Sequence, residues 1–111
     1  MIEGLSMKTI WRYDIQICDE QTVLMPTGAV ILDAKLSDRM VVCESDGVPS
    51  AIVKADIALW AIVDTDMPAV PRIIYIRGTG YPLGAADGTR HIATVSYPPS
   101  LWFHVFDGGQ L

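Results

Sequence analysis

The sequence has few of the residues that build catalytic or metal centres. It contains 2 histidines and 2 cysteines among 111 residues. Neither His-x-His nor His-x3-His spacing occurs, so we expect no metal site. The serines include no nucleophile elbow, and neither Cys18 nor Cys43 sits in a catalytic signature. We therefore expect a protein that is not an enzyme and has no cofactor.

Long apolar runs and clustered positive charge are also missing. No run approaches the roughly 20 apolar residues that cross a bilayer, and the N-terminus lacks the features of a secretory signal. We therefore expect no membrane partner, a cytosolic location and two reduced thiols, Cys18 and Cys43. The formal charge is −5, with 13 acidic and 8 basic side chains, and the basic residues are scattered. This argues against an extended nucleic-acid interface but leaves room for a pocket that holds one small anion.

What the sequence does contain is a succession of short β-like segments. Thr9, Trp11, Tyr13 and Ile15 alternate with Lys8, Arg12 and Asp14, which predicts a half-buried strand. A short extended segment is expected over residues 21–25, and further strands are expected over residues 29–36, 40–43, 57–63, 72–77, 90–97 and 101–106. The apolar start of segment 29–36 favours burial on both faces, and residues 44–50 resemble an exposed loop.

Turn signals every 8 to 15 residues separate these segments, and no convincing amphipathic helix is present. The pattern predicts an all-β fold, a small antiparallel sandwich or partly open barrel of about seven short strands. The expected organisation is a flexible extension over residues 1–6, a single β domain over 7–107 and a frayed tail over 108–111. The strands 90–97 and 101–106 should pair as an antiparallel hairpin.

The segment Arg77-Gly78-Thr79-Gly80 follows a strand and places two glycines around a hydroxyl. Consecutive backbone N–H groups there could form a concavity that binds an anion, with the Arg77 guanidinium beside it. It lacks the P-loop and dinucleotide-binding patterns. The alternative is a tight turn that needs positive φ.

Two histidines and several aromatic residues are further candidates for ligand binding. His91 and His104 lie on the two strands of the terminal hairpin and could approach each other, although the pattern favours ordinary hydrogen-bonded or surface histidines. Trp60 could stack on a ligand, and with Trp11, Trp102, Tyr75 and Phe103 it could instead pack in the core. With so little charge, some apolar strand surface should remain, which favours a homo-oligomer built from dimers.

Five segments occur in an order that resembles a family of small uncharacterised proteins of tailed bacteriophages and prophages. They span residues 7–13, 25–31, 59–64, 77–80 and 103–106, with the sequences MKTIWRY, MPTGAVI, LWAIVD, RGTG and FHVF. The resemblance implies a phage-encoded product made in the cytoplasm of the infected bacterial host. It implies no particular activity.

Three functions follow as hypotheses. The first is a non-enzymatic phage accessory protein with a counter-defence role, which sequesters a small anionic, nucleotide-like ligand or a host protein. Arg77, Gly78, Thr79 and Gly80 would hold the phosphate, and an aromatic residue would stack on the base. The second is a structural minor virion or tail component, and the third is an unrecognised enzyme.

Overall fold

Nine β-strands and one short 3-10 helix make up the described chain. The computed structural model describes residues 7–45 and 48–111, and for residues 41–53 we describe the backbone alone. The strands are β1 (Lys8–Ile15), β2 (Glu20–Pro26), β3 (Val30–Leu36), β4 (Met40–Ser45), β5 (Val48–Lys54), β6 (Ile57–Asp64), β7 (Ala69–Gly78), β8 (Arg90–Tyr97) and β9 (Leu101–Gln110), and the helix is Gly84–Ala86. The predicted all-β class is confirmed. The extension expected over residues 1–6 lies outside the described residues.

Seven of these strands form two antiparallel sheets that enclose one core. The three-stranded sheet has the order β1-β6-β3, and the four-stranded sheet has the order β2-β7-β9-β8. Both sheets contribute to one cluster of buried side chains, which includes Ile31, Leu59, Ile74 and Val105. This is the predicted sandwich. Among the described residues, no helix has the length and apolar character needed to cross a membrane.

The first strand has the two faces that its alternation predicts. Thr9, Trp11, Tyr13 and Ile15 pair with Val63, Ala61, Leu59 and Ile57 of β6, which line the inner side of the sheet, where these β6 residues are almost fully buried. Lys8, Ile10, Arg12 and Asp14 therefore lie on the outer side. Directly opposed residues in an antiparallel ladder project to the same face. The alternation along β1 therefore determines which face of the sheet each of its side chains occupies.

The third strand differs from the prediction. Val30 is 48% exposed and Leu32 is 42% exposed, whereas Ile31 and Ala34 are buried. The expectation that β3 is buried on both faces is therefore wrong. Its register against β6 shifts between Ile31 and Asp33.

The segment expected to be an exposed loop, residues 44–50, is a hairpin in its described part. The strands β4 and β5 pair antiparallel from Met40 opposite Lys54 to Ser45 opposite Val48, and they form a separate two-stranded sheet. Pro49, one of the residues that suggested a loop, lies in β5 opposite Glu44, near the end of the paired segment. Residues 46–47 are outside the described residues.

The C-terminal tail is ordered by pairing rather than frayed. The terminal hairpin has the predicted strands, and β9 continues to Gln110, which lies opposite Arg72 of β7. The Leu111 N–H donates to the Pro71 carbonyl at 3.0 Å. Arg72 and Asp107 form an ion pair at 2.7 Å, and both side chains are 9% exposed. Residues 108–111 therefore belong to the domain.

The tryptophans lie on three different strands, as expected, but they do not fill the core. Trp11 is 43% exposed and Trp102 is 51% exposed, and Trp60 is half-buried. Core packing is therefore wrong for Trp11 and Trp102. Tyr75 is buried and Phe103 packs against the core, so the prediction holds for these two residues.

Candidate functional site

The glycine-rich loop after β7 is a turn tied to the neighbouring strand. The Tyr81 N–H donates to the Gly78 carbonyl at 3.1 Å, and the Thr79 N–H donates to the Trp102 carbonyl at 3.2 Å. Gly80 has φ of 91°, a conformation that only glycine adopts without cost. The predicted concavity of free amides is therefore wrong, because two of these N–H groups already have partners within the fold.

At position 78, glycine is favoured by close packing and not by a positive φ. A Cβ atom on Gly78 would lie 2.8 Å from Cδ2 of Tyr81, which is closer than van der Waals contact. The Tyr81 ring therefore lies directly on the Gly78 backbone. Tyr81 is still 72% exposed, so one face of the ring remains open to a ligand.

Arg77 is held by the carbonyl groups of two loops. Its Nε donates to the Leu83 carbonyl at 3.0 Å, and Nη1 donates to the Ile76 carbonyl at 3.2 Å and to the Asp19 carbonyl. The guanidinium also lies over the Tyr75 ring, 5.4 Å from its centroid. Nε and Nη1 therefore fix the loops, and Nη2 has no hydrogen-bond acceptor among the described residues.

Two cavities share Gly78, Tyr81 and Phe103 in their linings, and we call them together the Tyr81 cleft. The first is about 540 Å³, and Asp19, Arg77, Tyr81 and Phe103 are among the residues that line it. The second is about 390 Å³ and is bounded by Thr79, Tyr81, Ser100 and Trp102, with Phe103 shared between the two. Both volumes fall in the range of small-molecule sites.

The polar groups of the first cavity form a mixed pair. Asp19 supplies a carboxylate, which accepts hydrogen bonds, and Arg77 supplies N–H donors. Such a pair suits the edge of a heterocyclic ring that carries both donors and acceptors. The neighbouring Cys18 is a free cysteine, and partial burial together with the charge of Asp19 raises the pKa of its thiol. The side chain of Cys43 lies outside the described residues.

The two histidines are brought together by a row of hydroxyl groups on the outer face of the four-stranded sheet. Nε2 of His104 lies 2.8 Å from Oγ1 of Thr79, and Nδ1 of His104 lies 3.0 Å from Oγ1 of Thr94. The same Thr94 oxygen lies 3.2 Å from Nε2 of His91. The row begins at Thr79, in the wall of the second cavity, so His104 is linked to the cleft through one hydroxyl.

Trp60 is the predicted site residue that the fold places elsewhere. It lies on β6 in the other sheet, on the outer face, where Arg12 lies over its ring at 5.4 Å. A shallow separate pocket includes Trp60, Ile10 and Leu32. Trp60 therefore does not contribute to the Tyr81 cleft.

Several cleft residues were not singled out from the sequence. Asp19 and Ile17 reach the first cavity from the segment between β1 and β2, and Ser100 reaches the second from the turn between β8 and β9. Nothing in the local pattern of those segments points to a site. Tyr81 and Pro82 directly follow the glycine-rich segment, so the irregular stretch there was the available signal.

Comparisons with known proteins identify the family of the chain. No curated protein and no solved structure matches it. Residues 7–110 match one family, and that range includes all seven strands of the sandwich and the whole Tyr81 cleft. The chain belongs to the family described as Domain of unknown function (DUF7352).

Proposed function

We propose that the protein is a non-enzymatic binding protein that sequesters a small nucleotide-like ligand in the Tyr81 cleft. The observation that carries this proposal is the pair of cavities that share an exposed tyrosine, Tyr81, in their linings. In keeping with the resemblance to phage proteins, it would act as an accessory or counter-defence factor in the cytoplasm of the infected bacterium.

The flat part of the ligand fits the first cavity. Its faces would contact Tyr81 and Phe103, and its edge would exchange hydrogen bonds with Asp19 and Arg77. Aromatic side chains stack on any base, and each such contact contributes about 1–3 kcal/mol. Specificity for a particular base would come from the carboxylate and guanidinium, because unpaired polar groups in the site penalise the wrong ligand.

The phosphate fits the second cavity, where hydroxyl groups replace the amides expected from the sequence. Thr79 and Ser100 can each donate a hydrogen bond to a phosphate oxygen. His104 can support this, because a ring whose Nε2–H donates to Thr79 Oγ1 frees the hydroxyl hydrogen of Thr79 for the ligand. Arg77 is the one basic side chain among the described residues that line the cleft, and the carboxylate of Asp19 offsets its charge. A ligand with one phosphate group therefore fits better than a polyanion.

Calorimetric titration with the four ribonucleoside 5′-monophosphates and with the matching nucleosides tests this function. Replacing Tyr81 with alanine should weaken nucleotide binding by roughly 5- to 150-fold, the equivalent of one lost base stack. Thr79→Val should weaken binding of the nucleotide but not of the nucleoside. Leu24→Ala is the control, since Leu24 is 64% exposed on β2 and does not line the cleft. Absence of binding to every nucleotide and nucleoside would exclude this function.

A structural role is the second candidate, and it is favoured by the outer face of the three-stranded sheet. Ile10 is 56% exposed there, beside Val30 and Leu32, and contiguous exposed apolar surface often marks a protein contact. A minor virion or tail subunit, or a protein that captures a host protein, would use such a face. Co-purification of the protein with virions, without nucleotide binding, would favour this candidate over the first.

A further inference from the structure

The two sheets have four edge strands, and they differ in how they are protected. β3 and β8 lie against each other, and Arg90 on β8 donates to the Ile31 carbonyl of β3 at 2.8 Å. β2 ends at Pro26, which has no N–H for a new strand. β1 pairs with β6 along one side, and no described strand pairs with its other side. β1 is therefore open to another strand along its whole length, whereas β2 is open only before Pro26.

The backbone of β1 presents hydrogen-bonding groups along that open edge. The Met7 carbonyl accepts from the Thr65 N–H at 2.9 Å, and the Ile15 carbonyl accepts from the Asp56 N–H at 3.0 Å. Both bonds are made on the β6 side. Because backbone groups alternate in direction along a strand, the N–H and C=O groups of residues 8, 10, 12 and 14 point away from β6.

The side chains on this edge are unusually apolar for a free strand. Met7 is 67% exposed, Ile10 is 56% exposed and Trp11 is 43% exposed. Ile10 lies on the outer face and Trp11 on the inner face, so both faces of β1 offer apolar contact. Natural edge strands are protected by charged side chains, by proline, by a bulge or by a covering element. β1 carries Lys8 and Arg12, but it has no proline and an unbroken register with β6.

We propose that the protein forms a twofold dimer in which the open edge of β1 pairs antiparallel with the same edge of a second copy, with Trp11 at the axis. Three constraints set the register: outward-pointing residues pair with each other, like charges do not face each other, and the paired segment is not shortened. Outward-pointing residues must pair with outward-pointing residues, which leaves axes that pass through a residue. An axis at Ile10 sets Lys8 opposite Arg12 of the partner subunit, and an axis at Arg12 sets two arginines opposite each other. An axis at Thr9 shortens the paired segment.

An axis at Trp11 satisfies all three constraints. It sets Lys8 opposite Asp14 of the partner subunit and Ile10 opposite Arg12 of the partner subunit, so no like charges face each other. The two Trp11 residues meet at a non-hydrogen-bonded position, where opposed side chains are closest. The three-stranded sheets of the two copies join into one six-stranded sheet. The Ile10 side chain of each copy then makes apolar contact across the boundary between the copies.

Light scattering of the full chain at about 50 μM, on the intact protein and on edge variants, tests the dimer. The intact protein should have twice the monomer mass. Ile10→Pro should give the monomer with an unchanged circular dichroism spectrum, because the N–H of residue 10 points away from β6 and its loss spares the β1–β6 ladder. Lys8→Asp, which should fold normally because Lys8 is exposed, should weaken dimerisation at least fivefold. Ile10→Val is the control and should stay dimeric.

Oxidative cross-linking tests the register in a Cys18→Ser, Cys43→Ser background. Trp11→Cys should form a covalent dimer, because two Cα atoms at a non-hydrogen-bonded pair are about 4.5 Å apart. Ile10→Cys should not, since its copies are offset along the strands. Cross-linking through Ile10→Cys, or through neither, would overturn the register. A monomeric intact protein, or a dimer that Leu32→Lys disrupts and Ile10→Pro does not, would overturn the edge pairing itself.

Discussion

Replacing Arg77 with alanine should destabilise the fold as well as alter the cleft, and this follows from what the guanidinium contacts. The change removes the hydrogen bonds to the carbonyls of Leu83 and Asp19 and the contact with the Tyr75 ring. Bonds to charged donors contribute about 1.5–3 kcal/mol when buried, but Arg77 is partly exposed and water can replace it at both carbonyls. We therefore allow about 1 kcal/mol for each, and about 0.5–1 kcal/mol for the ring contact.

The expected loss is thus about 2.5–3 kcal/mol of unfolding free energy, which lowers Tm by roughly 10–13 °C for a domain of this size. Urea denaturation and calorimetry measure both quantities. Arg77→Lys should recover part of the loss, because an ammonium group can reach one carbonyl but cannot span two loops. Lys35→Ala, at an exposed position on β3, should change stability by less than about 0.5 kcal/mol. A loss below about 0.5 kcal/mol for Arg77→Ala would refute the structural role of its contacts.

Three other substitutions have distinct expected outcomes. Asp107→Ala should destabilise the protein by about 3 kcal/mol in urea denaturation, because it leaves Arg72 buried without its partner. A change below about 1 kcal/mol would instead favour a frayed C-terminal tail. Gly108→Ala should cost about 1–3 kcal/mol, since the new Cβ would lie 2.6 Å from Cε2 of the buried Tyr75. Gly78→Ala should leave Tm nearly unchanged but weaken nucleotide binding, because only the exposed Tyr81 ring must move.

The pH dependence of stability should be carried in part by Asp14. Burial acts to raise the pKa of this carboxyl, but hydrogen bonds from Arg12 and Ser37, with the charges of Arg12 and Arg39, hold the pKa below its ordinary value. A lowered folded-state pKa stabilises the protein above the unfolded-state pKa of about 3.9, and the contribution is lost as pH falls through the folded value. Asp14→Asn should therefore be less stable than the intact protein at pH 7, with a difference that shrinks below about pH 4. A difference that is constant from pH 7 to pH 2.5 would contradict this.

Much of the sandwich could be predicted because its strands carry the information locally. The alternation in β1 and the position of the Pro98-Pro99 connection each determine an element without reference to distant residues. The hairpin of β4 and β5 could not be recognised in the same way, since glycine and proline are equally frequent in loops and in hairpin turns. For β3, the apolar run predicted two covered faces, but whether a face is covered depends on a partner that the run does not encode.

The site shows where local reasoning ends. Arg77-Gly78-Thr79-Gly80 was identified as a candidate, and the cleft does form there, yet the chemistry differs from the expected anion concavity. The amide of Thr79 is engaged by Trp102, a residue on another strand, and Arg77 is engaged by a carbonyl from the segment before β2. Both contacts depend on pairing between β7, β9 and β2, and no spacing within the loop records that pairing. The same pairing brings Asp19 and Phe103 to the cleft. The strand pairing that engages the Thr79 amide therefore also supplies other groups that can contact a ligand.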